Sequence, residues 1–294
     1  MIPYLDAAEI ARRVPPAAAV AAVEAALRGG LDPAAGVPRS SVRLPAGELL
    51  LMPASSPAHA GVKLAAVAPG NAALGLPRIS AVYVLFDGAT LRPVAFLDGT
   101  ALTTLRTPAV SVAAVRPALP ARPLRVVVFG AGPQGVGHVE TLAAVADLAT
   151  VDVVVRTPAR VSVPWPVLEA GSPPVAEALR AADVVVCATT ARTPLFDSAL
   201  LSPSAVVVAV GSHEPDAREV DAAFCARATV VVEDVGTALR ECGDVIQAIA
   251  EHALTRDDLV PLTEAATCRA PLLFKGSGMA WQDLVVAEAV LAAG

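Results

Sequence analysis

The six residues Gly130-Ala131-Gly132-Pro133-Gln134-Gly135 follow directly on the apolar run Leu124–Phe129, and they constrain this chain more than any other segment. A continuous β-branched run suits a strand buried on both faces. In the pattern G-x-G-x-x-G the first glycine permits a tight turn and the second lets the backbone approach a pyrophosphate. The third lets helix and strand pack closely. The helix that opens there presents backbone N–H groups and a favourable dipole to the diphosphate. Alone, the motif is weak and can be a glycine-rich turn with no ligand. Here further apolar runs recur at Val151–Val155, Asp183–Ala188, Val206–Val210 and Thr229–Glu233, with helical segments between most of them. That alternation predicts a parallel sheet of the Rossmann type, and Gly130, Gly132, Pro133, Gln134 and Gly135 are its expected cofactor contacts.

The second strand of that sheet ends in Val155-Arg156-Thr157, where an acidic residue would ordinarily accept hydrogen bonds from an adenine ribose. Arg156 and the Thr157 hydroxyl suit a 2′-phosphate instead, with Arg160 as a helper, which favours NADP(H) over NAD(H). The alternative is a solvent-facing arginine beside a loop. The following connection, residues 157–177, holds five prolines and reads as too short and broken for a full helix plus an extra strand. The sheet is expected to be trimmed there.

A chain of 294 residues suggests two domains. The three prolines of Pro117–Pro123 mark a candidate boundary. Before it, residues 1–30 read as an alanine-rich helical region, with Asp6 a cap and Gly29-Gly30 a stop. Short β-type segments follow at Val42–Leu44, Leu49–Met52, Val62–Val67 and Ile79–Phe86, then a helix over Asp98–Val115. The resulting class is α/β: a Rossmann dinucleotide-binding domain plus an α+β domain.

Composition narrows the partners. The net charge of −6, the absence of a basic stretch and 3% aromatic residues argue against nucleic acid. Although 55% of residues are hydrophobic, the longest apolar runs fall far short of the ~20 residues of a spanning helix. Met1–Arg13 lacks the apolar core of a signal peptide. Cys187, Cys225, Cys242 and Cys268 are scattered without metal-ligand spacing, so they read as reduced thiols of a cytoplasmic protein and no metal is expected.

Outside the glycine-rich turn, several cations stand in apolar or Gly/Pro-rich settings. Lys63 alternates with apolar neighbours in Gly61-Val62-Lys63-Leu64-Ala65, which in isolation suits a solvated strand face. Arg39 and Arg43 read the same way. Arg106 lies in Leu102-Thr103-Thr104-Leu105-Arg106-Thr107-Pro108, near a helix start.

Their joint presence changes the reading, because the chain resembles the ornithine cyclodeaminase/mu-crystallin family. The resemblance rests on Met52-Pro53-Ala54, Gly61-Val62-Lys63, Pro69-Gly70-Asn71, Leu97-Asp98-Gly99, Leu102–Pro108 and the Gly130–Gly135 turn. It continues through Gly211-Ser212-His213-Glu214-Pro215, Arg218-Glu219-Val220-Asp221, Glu241-Cys242-Gly243-Asp244 and Phe274-Lys275-Gly276-Ser277-Gly278-Met279-Ala280. The resemblance implies a homodimer paired through the N-terminal domain, to which the last helix returns. The implied domains are 1–118 with 275–294, for substrate and dimerisation, and 119–274 for the nucleotide. It implies hydride transfer to or from a carbon bearing nitrogen, with Arg39, Lys63 and Arg106 on the substrate carboxylate. Arginine offers a planar two-pronged donor, and a desolvated lysine also serves in proton transfer.

One residue departs from the pattern. Where the cyclodeaminases carry an aspartate after the fourth strand, this chain has His213. Losing that carboxylate weakens a case for deaminating ornithine. His213 either donates a proton to an imine nitrogen or lines the nicotinamide pocket and bonds to backbone. Phe274 and Gly278 are implied neighbours of the nicotinamide ring, while Glu241 and Asp244 are expected to brace a loop and Asp283 to cap the last helix. The expected protein is an NADP(H)-dependent oxidoreductase reducing the C=N bond of a small cyclic imine carboxylate, or the reverse amino acid dehydrogenase. The alternatives are an amino acid cyclodeaminase with recycled NAD and a non-catalytic NADPH-binding protein.

Overall fold

The computed structural model describes the backbone of residues 1–294 and every side chain except that of Ala72. The chain divides into two compact units, residues 1–110 with 279–294, and residues 111–278.

The first unit begins with β1 (Tyr4–Leu5), α1 (Ala7–Arg13) and α2 (Pro16–Arg28). Asp6 caps α1 by accepting from the Glu9 N–H at 2.8 Å, as its position suggests. Strands β2 (Ser40–Leu44), β3 (Gly47–Ser55), β4 (His59–Val67), β5 (Ile79–Asp87) and β6 (Pro93–Asp98) then form a sheet in the order β1-β6-β5-β4-β3-β2. Its pairs are antiparallel except β1 with β6. Strand alternation gives the sheet two unlike faces. One, holding Met52, Lys63, Ala65, Tyr83, Leu85 and Leu97, is buried. The other, with Leu51, Val62, Leu64, Val82, Val84 and Phe96, is apolar but only half-buried.

Helix α3 (Gly99–Val115) follows β6 at once. Asp98 accepts from the N–H groups of Thr100 and Ala101, both at 2.9 Å, and so starts the helix. The division between the units falls within α3 rather than at the proline-rich stretch beyond it. The cause lies in the packing of its second half: the Ser111 hydroxyl bonds to His138 of the second unit.

The second unit is a sheet of eight parallel strands, ordered β13-β12-β14-β11-β10-β7-β8-β9. Its elements are β7 (Leu124–Phe129), α4 (Pro133–Ala143), β8 (Leu148–Val155), β9 (Val167–Glu169), α5 (Pro173–Ala181), β10 (Val184–Cys187) and β11 (Val206–Ala209). They continue with α6 (Ala222–Arg227), β12 (Thr229–Val232), α7 (Val235–Glu241), α8 (Gly243–Ala250), β13 (Leu259–Pro261) and β14 (Leu272–Lys275). Helix α9 (Ala280–Ala292) belongs to the first unit, where Arg13 of α1 donates to its Val290 carbonyl at 3.2 Å.

One expectation is corrected. The proline-rich connection after β8 does contain an extra strand, β9, paired parallel to β8 with Val155 opposite Glu169. What the prolines removed is the helix of the crossover, which is reduced to one 3-10 turn at Pro158–Arg160.

Candidate active site

In the second unit the glycine-rich turn stands where the order of the parallel strands reverses. Strand β7 lies between β8, which follows it, and β10, which comes later, and ligands of such sheets bind beyond the carboxyl ends at that point. Gly130 has φ +104°, and a Cβ there would meet the Ala188 carbonyl at 2.5 Å. A Cβ on Gly135 would meet the Gly130 carbonyl at 2.0 Å, so α4 packs against its own turn only because that position is bare. Gly132 is different: nothing lies within 4 Å of where its Cβ would be. The backbone there is open to a ligand, and no side chain hydrogen bond caps the start of α4, whose N1 is Pro133. This cradle fits a diphosphate, with Gln134 and Gly135 in the first turn of the helix. Arg156 and Thr157 are exposed at the end of β8, and Arg160 is exposed nearby.

Buried charges hold the strand ends beside the turn. Glu219 accepts from the N–H groups of Thr189 and Gly211, at 2.8 and 2.7 Å, and so ties the chain after β10 to the chain after β11. Asp244 accepts from the N–H groups of Glu219 and Val220, at 2.7 and 2.9 Å. Lys275, at the end of β14, lies 3.0 Å from Asp244 and donates to the Ser212 carbonyl at 2.7 Å. Burial opposes the charge of Lys275, yet the Asp244 carboxylate outweighs it and holds the ammonium above its ordinary pKa. Glu233, after β12, similarly accepts from the N–H groups of Ser277 and Gly278, at 3.0 and 2.9 Å. His213 sits exposed in the loop that Glu219, Asp244 and Lys275 brace. The expected bracing by Asp244 is therefore present, and Glu219, Glu233 and Lys275 join it. Lys275 had a sequence signal, a cation closing the apolar run Leu272-Leu273-Phe274. Phe274 is corrected: its side chain is 1% exposed, so the ring is core and presents no face to a cofactor.

The first unit holds the other cations. Lys63 is not on a solvated face but on the buried face of the sheet, 3% exposed, opposite Met52 and Tyr83. Its ammonium lies 2.8 Å from Asp283 Oδ2, and donates to Asp283 Oδ1 at 3.1 Å and to Thr103 Oγ1 at 3.2 Å. Thr103 is aimed by its own bond to the Gly99 carbonyl, one turn earlier in α3. Arg106, one turn further on, places Nε 3.3 Å from Asp283 Oδ1 and donates through Nη1 to Gln282 Oε1. Arg39, half-buried just before β2, is close enough for its charge to act on Lys63. Arg43 is exposed on β2. Burial and then Arg106 lower the pKa of Lys63 to about 8, while Asp283 pulls it upward.

Lys63 and Arg106 share the single carboxylate of Asp283, which leaves one positive charge among these three groups. An unbalanced buried charge is costly, and a carboxylate or other anion relieves it. Asp283 is corrected here too. Met279 occupies the cap position of α9, and the Asp283 carboxylate, wholly buried, is the counter-ion of Lys63 and Arg106.

Among the described residues no group of His, Cys, Asp and Glu can hold a metal ion, and no helix is long and apolar enough to cross a membrane. All four cysteines are free thiols, and all are buried.

A parallel sheet with a glycine turn at its switch point, joined to a mixed sheet holding a buried cationic cluster, defines a two-unit Rossmann-type α/β protein. The model of the ornithine cyclodeaminase/mu-crystallin family matches residues 5–292, and the chain belongs to that family. It is 34% identical over 295 residues to the Delta(1)-pyrroline-2-carboxylate/Delta(1)-piperideine-2-carboxylate reductase of Azospirillum brasilense, covering 96% of this chain and 93% of that protein. Its fold matches an archaeal alanine dehydrogenase dimer with bound NAD at a TM-score of 0.83 and 26% identity, covering 99% and 95% of the two chains. It also matches the Thermococcus litoralis Delta(1)-pyrroline-2-carboxylate reductase, in complex with NADH and L-proline. There the TM-score is 0.87, the identity 24% and the coverage 100% and 97%.

Proposed function

We propose that this chain is an NADP(H)-dependent reductase of the C=N bond in small cyclic imine carboxylates, working also in reverse as an amino acid dehydrogenase. The observation that carries this reading is the Lys63–Arg106–Asp283 cluster. It combines surplus positive charge for a substrate carboxylate with an ammonium poised to give up a proton. The name of the Azospirillum brasilense relative supports the cyclic imine as the substrate class.

A pyridine nucleotide, when bound, supplies the hydride that goes to the imine carbon. Gly130, Gly132, Pro133, Gln134 and Gly135 hold its diphosphate, and Arg156 with Thr157 takes the 2′-phosphate that makes NADP(H) the preferred form. Arg106 is held by its Nη1 bond to Gln282 and by the Asp283 carboxylate beside Nε, its guanidinium edge serves a substrate carboxylate, and Arg39 adds a further cation. Lys63 gives the imine nitrogen its proton and is then recharged from water. His213 and Gly278 line the nicotinamide side. Histidine in the place of the cyclodeaminase aspartate turns the chemistry away from deamination.

Two further features belong to the same reading. The half-buried apolar face of the first unit's sheet suits a second copy of the chain, making a homodimer. Four free cysteines suit a reducing cytoplasm.

The test is the loss of absorbance at 340 nm when purified protein, NADPH and pyrroline-2-carboxylate or piperideine-2-carboxylate are mixed. No oxidation of NADPH or NADH across cyclic imines and keto acids with ammonia would overturn the proposal. Comparing Lys63→Met with His213→Gln identifies the proton donor. The first is expected to abolish turnover and the second to slow it less.

A further inference from the structure

Asp283 lies 220 residues from Lys63 in sequence, yet one of its carboxylate oxygens accepts a hydrogen bond from the lysine while the other stands 2.8 Å from the same nitrogen. The same carboxylate also faces Arg106 Nε at 3.3 Å. It is wholly buried in the first turn of α9, a helix that packs on β3 and β4. No other carboxylate has a contact with these two cations among the described residues. Asp283 therefore both holds the Lys63 ammonium in place and favours its charged form against burial and Arg106.

We propose that Asp283 is a positioning residue for the reaction: it keeps Lys63 protonated beside Arg106, with one N–H of the ammonium left for the substrate nitrogen. This rests on the imine-reductase reading above.

The donor count supports it. An ammonium has three N–H groups. Asp283 and Thr103 accept two, and no further acceptor within the described residues takes the third. Replacing the carboxylate with a neutral amide would leave Lys63 buried beside Arg106 with no opposite charge to favour its ammonium form. The groups that face it are Arg39 before β2, Arg106 and Thr103 on α3, Tyr83 on β5 and Asp283 on α9. Tyr83 is a neutral phenol, its hydroxyl pushed upward by burial and by the charges of Asp283 and Glu288. Of this set only Asp283 is negative. Burial and Arg106 together bring Lys63 to about 8 with Asp283 in place, so the carboxylate keeps the ammonium form dominant at neutral pH. In the reaction the N–H bond of Lys63 breaks as a new N–H bond forms on the substrate. The lysine becomes a neutral amine, and water returns the proton. No redox change occurs at Lys63 or Asp283.

The test is Asp283→Asn, which keeps the side chain's shape. In imine reduction the alkaline limb of kcat moves to lower pH by roughly one to three pH units, the range an adjacent opposite charge commands. KM for the imine carboxylate does not rise, because the carboxylate's lost negative charge offsets the positive charge that Lys63 gives up. Asp283→Glu, which restores the carboxylate, brings the limb back towards its original position. A purely structural role would instead depress kcat at every pH and leave the limb in place, which would overturn the proposal. A second readout needs no turnover. The Nζ/Cε resonances of Lys63, assigned by their absence in Lys63→Met, are titrated in both proteins with isotope-labelled lysine. An unchanged Lys63 titration in folded Asp283→Asn would also overturn the proposal. A shifted Lys63 titration in a protein that reduces no imine would sink the imine reading alone. If Asp283→Asn does not fold, Asp283→Ser carries both measurements: it also removes the carboxylate, and an unaltered limb and titration in that variant would overturn the proposal.

Discussion

His138 Nε2 and Ser111 Oγ are 2.9 Å apart in the interior of the second unit, while His138 Nδ1 lies 2.7 Å from the Gln134 carbonyl. A carbonyl only accepts, so Nδ1 carries the hydrogen and Nε2 accepts from the serine hydroxyl. Burial keeps this imidazole neutral in the middle of α4, one turn beyond the glycine-rich turn.

The first prediction is an acid weakness. Burial lowers the His138 pKa to about 4 from an ordinary 6.5. Between those values the unfolded chain binds the extra proton, so stability rises with pH across that window. The contribution is complete above pH 6.5 and is lost as pH falls towards 4, amounting to about 2 kcal/mol by pH 5. Urea unfolding at pH 7.5 and pH 5 should show it, and His138→Gln should remove that part of the difference. Equal pH dependence in the two proteins would refute it.

The second concerns cofactor choice. A charge-assisted bond from Arg156 to a phosphate is worth about 1.5–3 kcal/mol. Arg156→Ser is therefore expected to raise the Kd of NADPH by roughly tenfold or more and to leave that of NADH nearly unchanged, measured by titrating nicotinamide fluorescence. Tighter binding of NADH than NADPH by the unaltered protein would contradict the assignment.

The third concerns the charges behind the loops. Lys275→Met strands two buried carboxylates, Asp244 and Glu219, and is expected to cost about 3–5 kcal/mol of unfolding free energy. Lys275→Met combined with Asp244→Asn should recover part of that loss. Unfolding curves for the two variants that coincide would show that the pair is not coupled.

The fourth concerns assembly. Light scattering is expected to give the mass of two chains for the unaltered protein. A charge on the half-buried sheet face, Val84→Asp, is expected to shift that mass towards one chain. A monomeric unaltered protein would remove the dimer proposal.

How legible the chain was in its sequence depended on how local the governing interaction is. The turn at Gly130–Gly135 and the strand before it could be read because steric demands act over six residues. The end of β8 was equally local. The strand β9 was missed because three residues between prolines carry too little periodicity to register. Lys63 was misread alone for a different reason. Strand alternation shows that Val62 and Leu64 share a face and Lys63 takes the other, but not which face is buried. Here the lysine faces the core, and only the counter-ion explains it. Asp283 looked like a helix cap because nothing near it in sequence reveals a partner 220 residues away.

That separation also orders how the protein comes into being. A ribosome releases Lys63 and Arg106 long before Asp283 exists, and the whole second unit is synthesised in the interval. A nascent chain that has reached Gly278 already contains all eight strands of the parallel sheet, but not the carboxylate for its two waiting cations. Emergence of the last helix is thus the event that completes the cationic cluster, and a chain stalled before it lacks the carboxylate of its first unit.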